Sequence, residues 1–491
     1  MERSNYLKSA AVLSVGGIIA KGIGAFYRIP LANLLGGYGM GLYQMAYPLF
    51  CVLLTFSSAG IPSALARMVA EETARGRSGE KLLKTALRLF AILGLCGTAL
   101  MCLFAPRMSA LQGDGRLSLC YFMLAPSVFF VALIAVFRGW FQGKSDMRPT
   151  AVSEIVEQLV KAAAGLYFAT RFASEPALAT AWCLLAVTLS ELAALIYLIV
   201  RSRGETRVRT LTARRTAGTE ILFAALPVMA ATSLLPLSQT VDSILIVRLL
   251  SGHTPHAVSL YGLFAGSALS LVNLPATACY GLAAASVPSV SRCFARGEQE
   301  EGKKRALYAL CVTLLLSLPC ALGLFFFAGR ITALLFPALS EADARMLAAL
   351  LRLLSVSAVT VAGVDTLAAC LTGMGRAKWA ALSMLVAVLV KFALQRALVG
   401  IPRISVGGAA IAANACYLVA FFLDLFYTVK KKKRQEEYDH DRESRRRERR
   451  YQPESAARAE GGGRSARTQR VAGVGSFEGR RDLFQNPRLR L

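Results

Sequence analysis

The sequence predicts an all-α polytopic membrane protein of about twelve transmembrane helices, arranged as two parallel six-helix repeats. Three observations predict it. Of 491 residues, 55% are hydrophobic and only 18% charged, where a soluble chain carries about 25% charged residues; mean hydropathy is +0.49. Apolar runs of roughly 20 residues recur along the chain, each long enough to cross a bilayer as a helix. Lys and Arg collect in alternate gaps between those runs, which is a topology signal. A soluble enzyme is excluded. So is a membrane β-barrel, whose strands alternate apolar and polar residues.

The expected spans are 10–34, 42–66, 83–105, 117–137, 151–171, 178–200, 219–248, 258–288, 306–328, 347–369, 379–399 and 406–428. The first is too long and too charged for a cleavable signal peptide: Lys21 and Arg28 interrupt it, and no small-residue cleavage site follows. Gaps on the side of the N-terminus hold 24 Lys/Arg before the tail, and the opposite gaps hold eight. This asymmetry places both termini in the cytoplasm and the chain in the cytoplasmic membrane. The resulting division is an N-terminal lobe over 1–200, a cytoplasmic linker over 201–218, a C-terminal lobe over 219–428 and a tail over 429–491.

The two halves echo each other. Gly41-Leu42-Tyr43 opens span two and Ala74-Arg75-Gly76 closes its loop; Ser259-Leu260-Tyr261 and Ala295-Arg296-Gly297 do the same for span eight. Gln142-Gly143 and Leu159-Val160-Lys161 return as Thr372-Gly373 and Leu389-Val390-Lys391, at an offset of 230. Six helices is an even number, so both halves insert with one orientation. Such parallel repeats usually form two bundles around a cavity that opens alternately to each side.

No Walker loop, Ser/His/Asp arrangement or metal-ligand cluster occurs. The three histidines and eleven cysteines form no CxxC pair or Cys/His cluster. The chain is therefore expected to be a non-enzyme without cofactor or metal, whose transport runs on a gradient. Informative residues are then the charges inside spans, which are expensive in lipid and face a cavity or a partner.

In span one, Lys21 and Arg28 are seven residues apart and share a face. Lys21 either binds substrate in the cavity or pairs with a carboxylate; Arg28 either joins it or snorkels to the outer headgroups. In span five, Glu157 stands four residues before Lys161, an i,i+4 pair that explains itself structurally; Glu154 shares that face. Span seven is broken by Pro227 and Pro236, as transporter helices often are around a site. Within it, Asp242 follows Ser238 by one turn and either neutralises Lys21 or Arg248 or takes up a coupling cation or proton. Arg248 closes the span. In span ten, Asp365 answers Arg352 or Lys391 and is the second candidate for ion coupling. Lys391 in span eleven has Ala387 one turn before it and no local partner. The basic residues outweigh or match the acidic ones, so the expected cavity is modestly cationic and suits a phosphate or pyrophosphate group.

The tail is a different material. Lys430 to Leu491 holds 19 Lys/Arg against 10 Asp/Glu, part of a net charge of +26. Its composition is that of a disordered segment. It anchors topology or attaches to anionic cytoplasmic lipid, and nucleic acid is not an expected partner.

The stretch from Lys21 through Arg28, Ile29, Pro30 and Leu31, then Gly39-Met40-Gly41-Leu42-Tyr43-Gln44 to Tyr47-Pro48, resembles a known family. So do Ser58-Ala59-Gly60-Ile61-Pro62 and Leu371-Thr372-Gly373-Met374-Gly375. The resemblance is to the polysaccharide-biosynthesis and stage V sporulation protein B branch of the multidrug/oligosaccharidyl-lipid/polysaccharide (MOP) exporter superfamily, with MurJ-type lipid II flippases as relatives. It covers about residues 5–428. It implies a two-lobed MATE/MurJ-like fold and a flippase for an undecaprenyl-pyrophosphate-linked saccharide or peptidoglycan precursor. In that family basic residues of the first and seventh helices bind the pyrophosphate region, which maps onto Lys21, Arg28 and Arg248; Lys391 is added from its lack of a local partner. Two departures stand out. Leu53-Leu54-Thr55-Phe56 occupies the place where MurJ-type proteins carry an arginine, and the basic tail stands where many members have two more helices. The rival expectation is a multidrug/cation antiporter that depends on Asp242 and Asp365.

Overall fold

The computed structural model describes residues 2–58, 60–75, 80–203 and 218–430. The central part of the expected linker, the expected tail beyond Lys430 and the side chain of Pro227 lie outside the described residues. Among the described residues there is no strand.

The first element, α1 (Glu2–Ser58), contains the first expected span and most of the second, as two limbs meeting at Gly36. Gly36 has φ 64° and ψ −175°, a region open essentially to glycine alone, so the residue type at this bend is dictated by backbone sterics. The second limb stops sooner than its apolar pattern predicts. Gly60, at φ 78°, starts a separate helix, α2 (Ile61–Ala74), with Pro62 in its first turn. There the missing proline N–H costs no helical hydrogen bond.

The next elements follow the expected spans: α3 (Glu80–Gln112), α4 (Leu117–Gly143), α5 (Arg148–Arg171), α6 (Pro176–Arg203) and α7 (Gly218–Ser251), the last running as one helix through Pro227 and Pro236 where a break into segments was expected. Span eight is broken into α8 (Ala257–Tyr261), a π-helical turn over Gly262–Ala268, α9 (Leu269–Val272) and α10 (Leu274–Ala295). The chain then forms α11 (Gln299–Phe326), a short α12 (Ala328–Leu335), α13 (Glu341–Gly373), α14 (Ala377–Leu398) and α15 (Val406–Val429).

Ten stretches among the described residues are long and apolar enough to cross a membrane. One of them, Val15–Ala74, holds two of the expected spans folded at Gly36. The remaining expected span, α5, carries Glu154, Glu157 and Lys161 mid-helix, and this interrupts its apolarity. The chain is a multi-pass membrane protein.

Within the first half, α1 packs on α4, α5 and α6; it also runs along α7 and the 257–268 segment of the second half. This crossing is unusually close. A Cβ on Gly262 would collide with Gly37 O, and one on Gly41 with Val258 O. Small residues allow helix backbones to approach in this way within lipid. Large apolar side chains such as Phe26 and Leu389 are exposed, as a chain solvated by hydrocarbon rather than water permits.

Candidate functional site

A cavity of about 860 Å³ lies between helices of the two halves. Its wall is made by Gly17, Lys21 and Gly24 of α1, Arg138 and Gln142 of α4, and Thr150, Glu154, Glu157 and Gln158 of α5. From the second half α10 adds Gly281, Ala285 and Pro288. These positions fall in the N-terminal limb of α1, the C-terminal part of α4, the N-terminal part of α5 and the middle of α10, which is the C-terminal part of the expected span 258–288. In an alternating bundle all four lie on the side of the N-terminus.

The opposite end is sealed by bonds between the halves. Asn33 Nδ2 donates to Leu335 O at 2.6 Å, Gln44 Nε2 to Ala265 O at 2.7 Å, and Gln112 Nε2 to Ser243 Oγ at 2.9 Å. Arg28 belongs to this region: its Nη1 donates to Ser270 Oγ at 3.1 Å. Arg248 is further out, exposed, with Nε donating to Leu111 O at 2.8 Å, and it does not line the cavity.

Lys21 does line it, and is exposed there. Glu154 and Asp365 are within electrostatic reach of its ammonium, and Asp365 is itself exposed on α13. Arg138 is held from two sides: Nη2 lies 3.1 Å from Glu157 Oε2, and Nε donates to Ser153 Oγ at 3.0 Å. Gln158 Nε2 donates to Glu157 Oε1 at 3.0 Å. Two expectations are corrected here. Glu157 takes its ion-pair partner from α4 instead of Lys161 on its own helix. The lining is also balanced in charge and not cationic, since Glu154 and Glu157 offset Lys21 and Arg138.

A second polar group sits in the second half, away from this lining. Lys391 Nζ is 2.6 Å from Asp242 Oδ2 and donates to Ser238 Oγ at 3.0 Å. Gln395 Nε2 donates to Asp242 Oδ1 at 2.9 Å. The expectation of an unpaired Lys391 is thereby corrected: its partner comes from α7, which no reading along α14 alone reveals. Asp242 meets Lys391 and not Lys21 or Arg248. Among the described residues no group of three or more His, Cys, Asp or Glu is placed to hold a metal ion.

The model of the polysaccharide biosynthesis protein family matches residues 6–294, more than half of the chain. The chain belongs to this family. The MatE family model matches residues 227–395, in the second half. Stage V sporulation protein B of Bacillus subtilis (strain 168) is 27% identical over 426 residues, 84% of this chain and 81% of the relative. Lipid II flippase MurJ of the same organism is 22% identical over 455 residues, covering 87% and 83%. The fold matches an inward-facing multidrug resistance MATE family transporter of the MOP superfamily at TM-score 0.68 and 16% identity, covering 83% of this chain and 93% of that one. It matches lipid II flippase MurJ in an inward closed conformation at TM-score 0.66 and 16% identity, covering 86% and 88%. The family assignment, the all-helical class and the MOP-type fold therefore agree with the sequence expectation.

For this polysaccharide biosynthesis family member, the site residues missed by the sequence reading are Arg138, Gln142, Thr150 and Gln158. Arg138 falls one residue past the expected span 117–137 and so reads as a loop charge, although Gly139-Trp140-Phe141 after it continues an apolar run and α4 extends to Gly143. Thr150, Glu154 and Gln158 recur at four-residue steps, a polar stripe visible in the sequence once α5 is taken to begin at Arg148.

Proposed function

We propose that the protein is an alternating-access flippase for a polyprenyl-diphosphate-linked saccharide, with both termini cytoplasmic and the cavity open to the cytoplasmic leaflet in the present conformation. The observation that carries this reading is the one-sided cavity: it exposes Lys21 near the N-terminal side and is sealed beyond Arg28 by bonds between the two halves. Family membership and the similarity to a lipid II flippase support the substrate kind.

In this mechanism the diphosphate docks on Lys21, whose ammonium is a compact point charge for phosphate oxygens, while the polyprenyl chain remains in lipid. Residues 1–200 and 219–428 then rock against each other. Breaking the Arg28–Ser270 bond frees a second cation for the diphosphate as the far end opens. No nucleotide is hydrolysed. Asp365, in reach of Lys21, is the carboxylate best placed to couple a cation or proton to this exchange. Asp242 is already occupied by Lys391 and Gln395.

The rival antiporter reading draws on one observation, the equal number of acids and bases in the lining. Native mass spectrometry of the protein purified with host lipid decides between them. A retained polyprenyl-diphosphate saccharide that disappears in Lys21→Ala supports the flippase. Absence of such a lipid from the wild type, with cation-dependent drug efflux that fails in Asp365→Asn, overturns it.

A further inference from the structure

The α5 wall of the cavity has a chemistry that a diphosphate does not need. Thr150, Glu154 and Gln158 all line the cavity and follow one another at i,i+4 steps, so they form a single stripe. At 1.5 Å per residue the stripe extends for about 12 Å along the helix, the reach of a short oligosaccharide and far more than one ion requires. The facing helix is cut back to receive it. A Cβ at Gly17 would lie 3.8 Å from Glu154 Oε2, and one at Gly24 would lie 3.0 Å from Gln158 Oε1. Lys21 stands between these two glycines, at the level of the stripe.

The hydrogen-bonding inventory along the stripe is incomplete. Gln158 spends its amide nitrogen on Glu157, which turns its carbonyl oxygen into an acceptor beside Gly24. Thr150 Oγ is buried with no hydrogen-bond partner, although buried hydroxyls are almost always satisfied. Gln142 of α4 brings a further amide to the same lining, whereas Gly281, Ala285 and Pro288 opposite bring no polar side chain. Hydroxyl, amide and carboxylate groups in a row match sugar hydroxyls and acetamido groups, which both donate and accept. Glu154, on the stripe itself, sets a sign as well, since Glu157 is already held by Arg138. A sugar carboxylate beside Glu154 meets like charge, whereas hydroxyl and acetamido groups do not.

We infer that the Thr150–Glu154–Gln158 stripe is the saccharide-reading subsite, and that the saccharide it accepts is uncharged, bearing hydroxyl and acetamido groups and no carboxylate. This rests on the lipid-diphosphate reading above.

The test uses the full chain in lipid nanodiscs and three soluble-tail probes: farnesyl diphosphate, its N-acetylglucosaminyl derivative and its glucuronyl derivative. The wild type should bind the N-acetylglucosaminyl lipid about tenfold more tightly than either of the others. Thr150→Val/Gln158→Leu should collapse the gap between the N-acetylglucosaminyl and bare lipids. Glu154→Gln, which keeps the side-chain shape, should raise glucuronyl binding and so reads the charge rule even where the double variant folds poorly. Equal wild-type affinity for the two saccharide lipids overturns the inference while leaving the diphosphate reading intact. A wild type that does not bind bare farnesyl diphosphate overturns the diphosphate reading and the inference with it.

Discussion

Lys391 of α14 and Asp242 of α7 form an ion pair with Nζ 2.6 Å from Oδ2, and their side chains are only 12% and 16% exposed. The pair joins residues 149 apart in sequence and takes up one of the carboxylates that the second half of the bundle could offer to a free cation. Ser238 accepts a further hydrogen bond from Lys391 and Gln395 donates to Asp242, so two side chains contribute donors to a single acidic residue.

Removing one member should therefore cost more than removing both. A charge left without its partner in a largely buried position is destabilising by about 3–5 kcal/mol at full burial, whereas replacing the whole pair is often close to neutral. Asp242→Asn and Lys391→Met are each expected to lower the thermal unfolding midpoint in detergent, with Asp242→Asn/Lys391→Met recovering much of the loss. Additive losses in the double variant would show that the two groups are not coupled.

The same pair marks the boundary of what the sequence makes legible. Hydropathy and the alternating charge of the gaps are one-dimensional signals, and they recover the helical class and the positions of the spans. Lys21 is legible as a cavity-lining residue because a lysine in the middle of an apolar run has few structural excuses. Lys391 looked equivalent by the same rule. It differs because Asp242 approaches it from another helix, and that is set by packing and not by periodicity. Arg138 was hidden for the opposite reason: a helix that continues past its apolar core makes an in-span arginine look like a loop charge. The bend at Gly36 falls in the gap expected between 34 and 42, but the break at Gly60, inside the expected span 42–66, is invisible to hydropathy, since backbone angle leaves no trace in it.

Arg138 and Glu157 form the corresponding pair in the cavity wall, 3.1 Å apart with side chains 18% and 17% exposed. Arg138→Gln leaves Glu157 as an added negative charge facing the proposed diphosphate site. Binding of farnesyl diphosphate is expected to fall more in Arg138→Gln than in Arg138→Gln/Glu157→Gln, where the lining returns to balance. Isothermal titration in nanodiscs measures both. Equal losses in the two would mean that Arg138 acts by direct contact and not through the charge balance.

Gly36 and Gly22 lie on the same long element and should respond in opposite ways to alanine. Gly36 sits at φ 64° and ψ −175°, a conformation that costs a non-glycine residue about 1–3 kcal/mol. Gly22 is helical, and nothing lies within 4 Å of a Cβ added there. There alanine gains up to about 1 kcal/mol of helix propensity. Thermal unfolding should show Gly36→Ala below the wild type and Gly22→Ala at or above it. A Gly36→Ala protein as stable as the wild type would place the bend under control of Pro30, Pro48 or the surrounding packing.

The close crossing at the sealed end should govern which side the cavity faces. Gly262 stands at the start of the π-helical turn, its α-carbon against the backbone of Gly37 and Gly41, and a methyl group there has no room. The nearest obstacles are backbone atoms, which cannot swing aside as a flexible side chain can, so relief requires the two helices to separate. Separation is the movement that opens the far end, and it also stretches the Gln44–Ala265 and Arg28–Ser270 bonds. Gly262→Ala is therefore expected to shift the population toward the state open on the far side. A cysteine placed at Ser270, mapped by peptide mass spectrometry after treatment with a membrane-impermeant maleimide, reports the shift as faster labelling in the Gly262→Ala background. Gly323→Ala serves as the control, because nothing lies within 4 Å of its added Cβ. Labelling at position 270 that is equally slow in both backgrounds would mean that the glycine crossing tolerates the methyl by local bending, and that the polar bonds alone hold the far end shut.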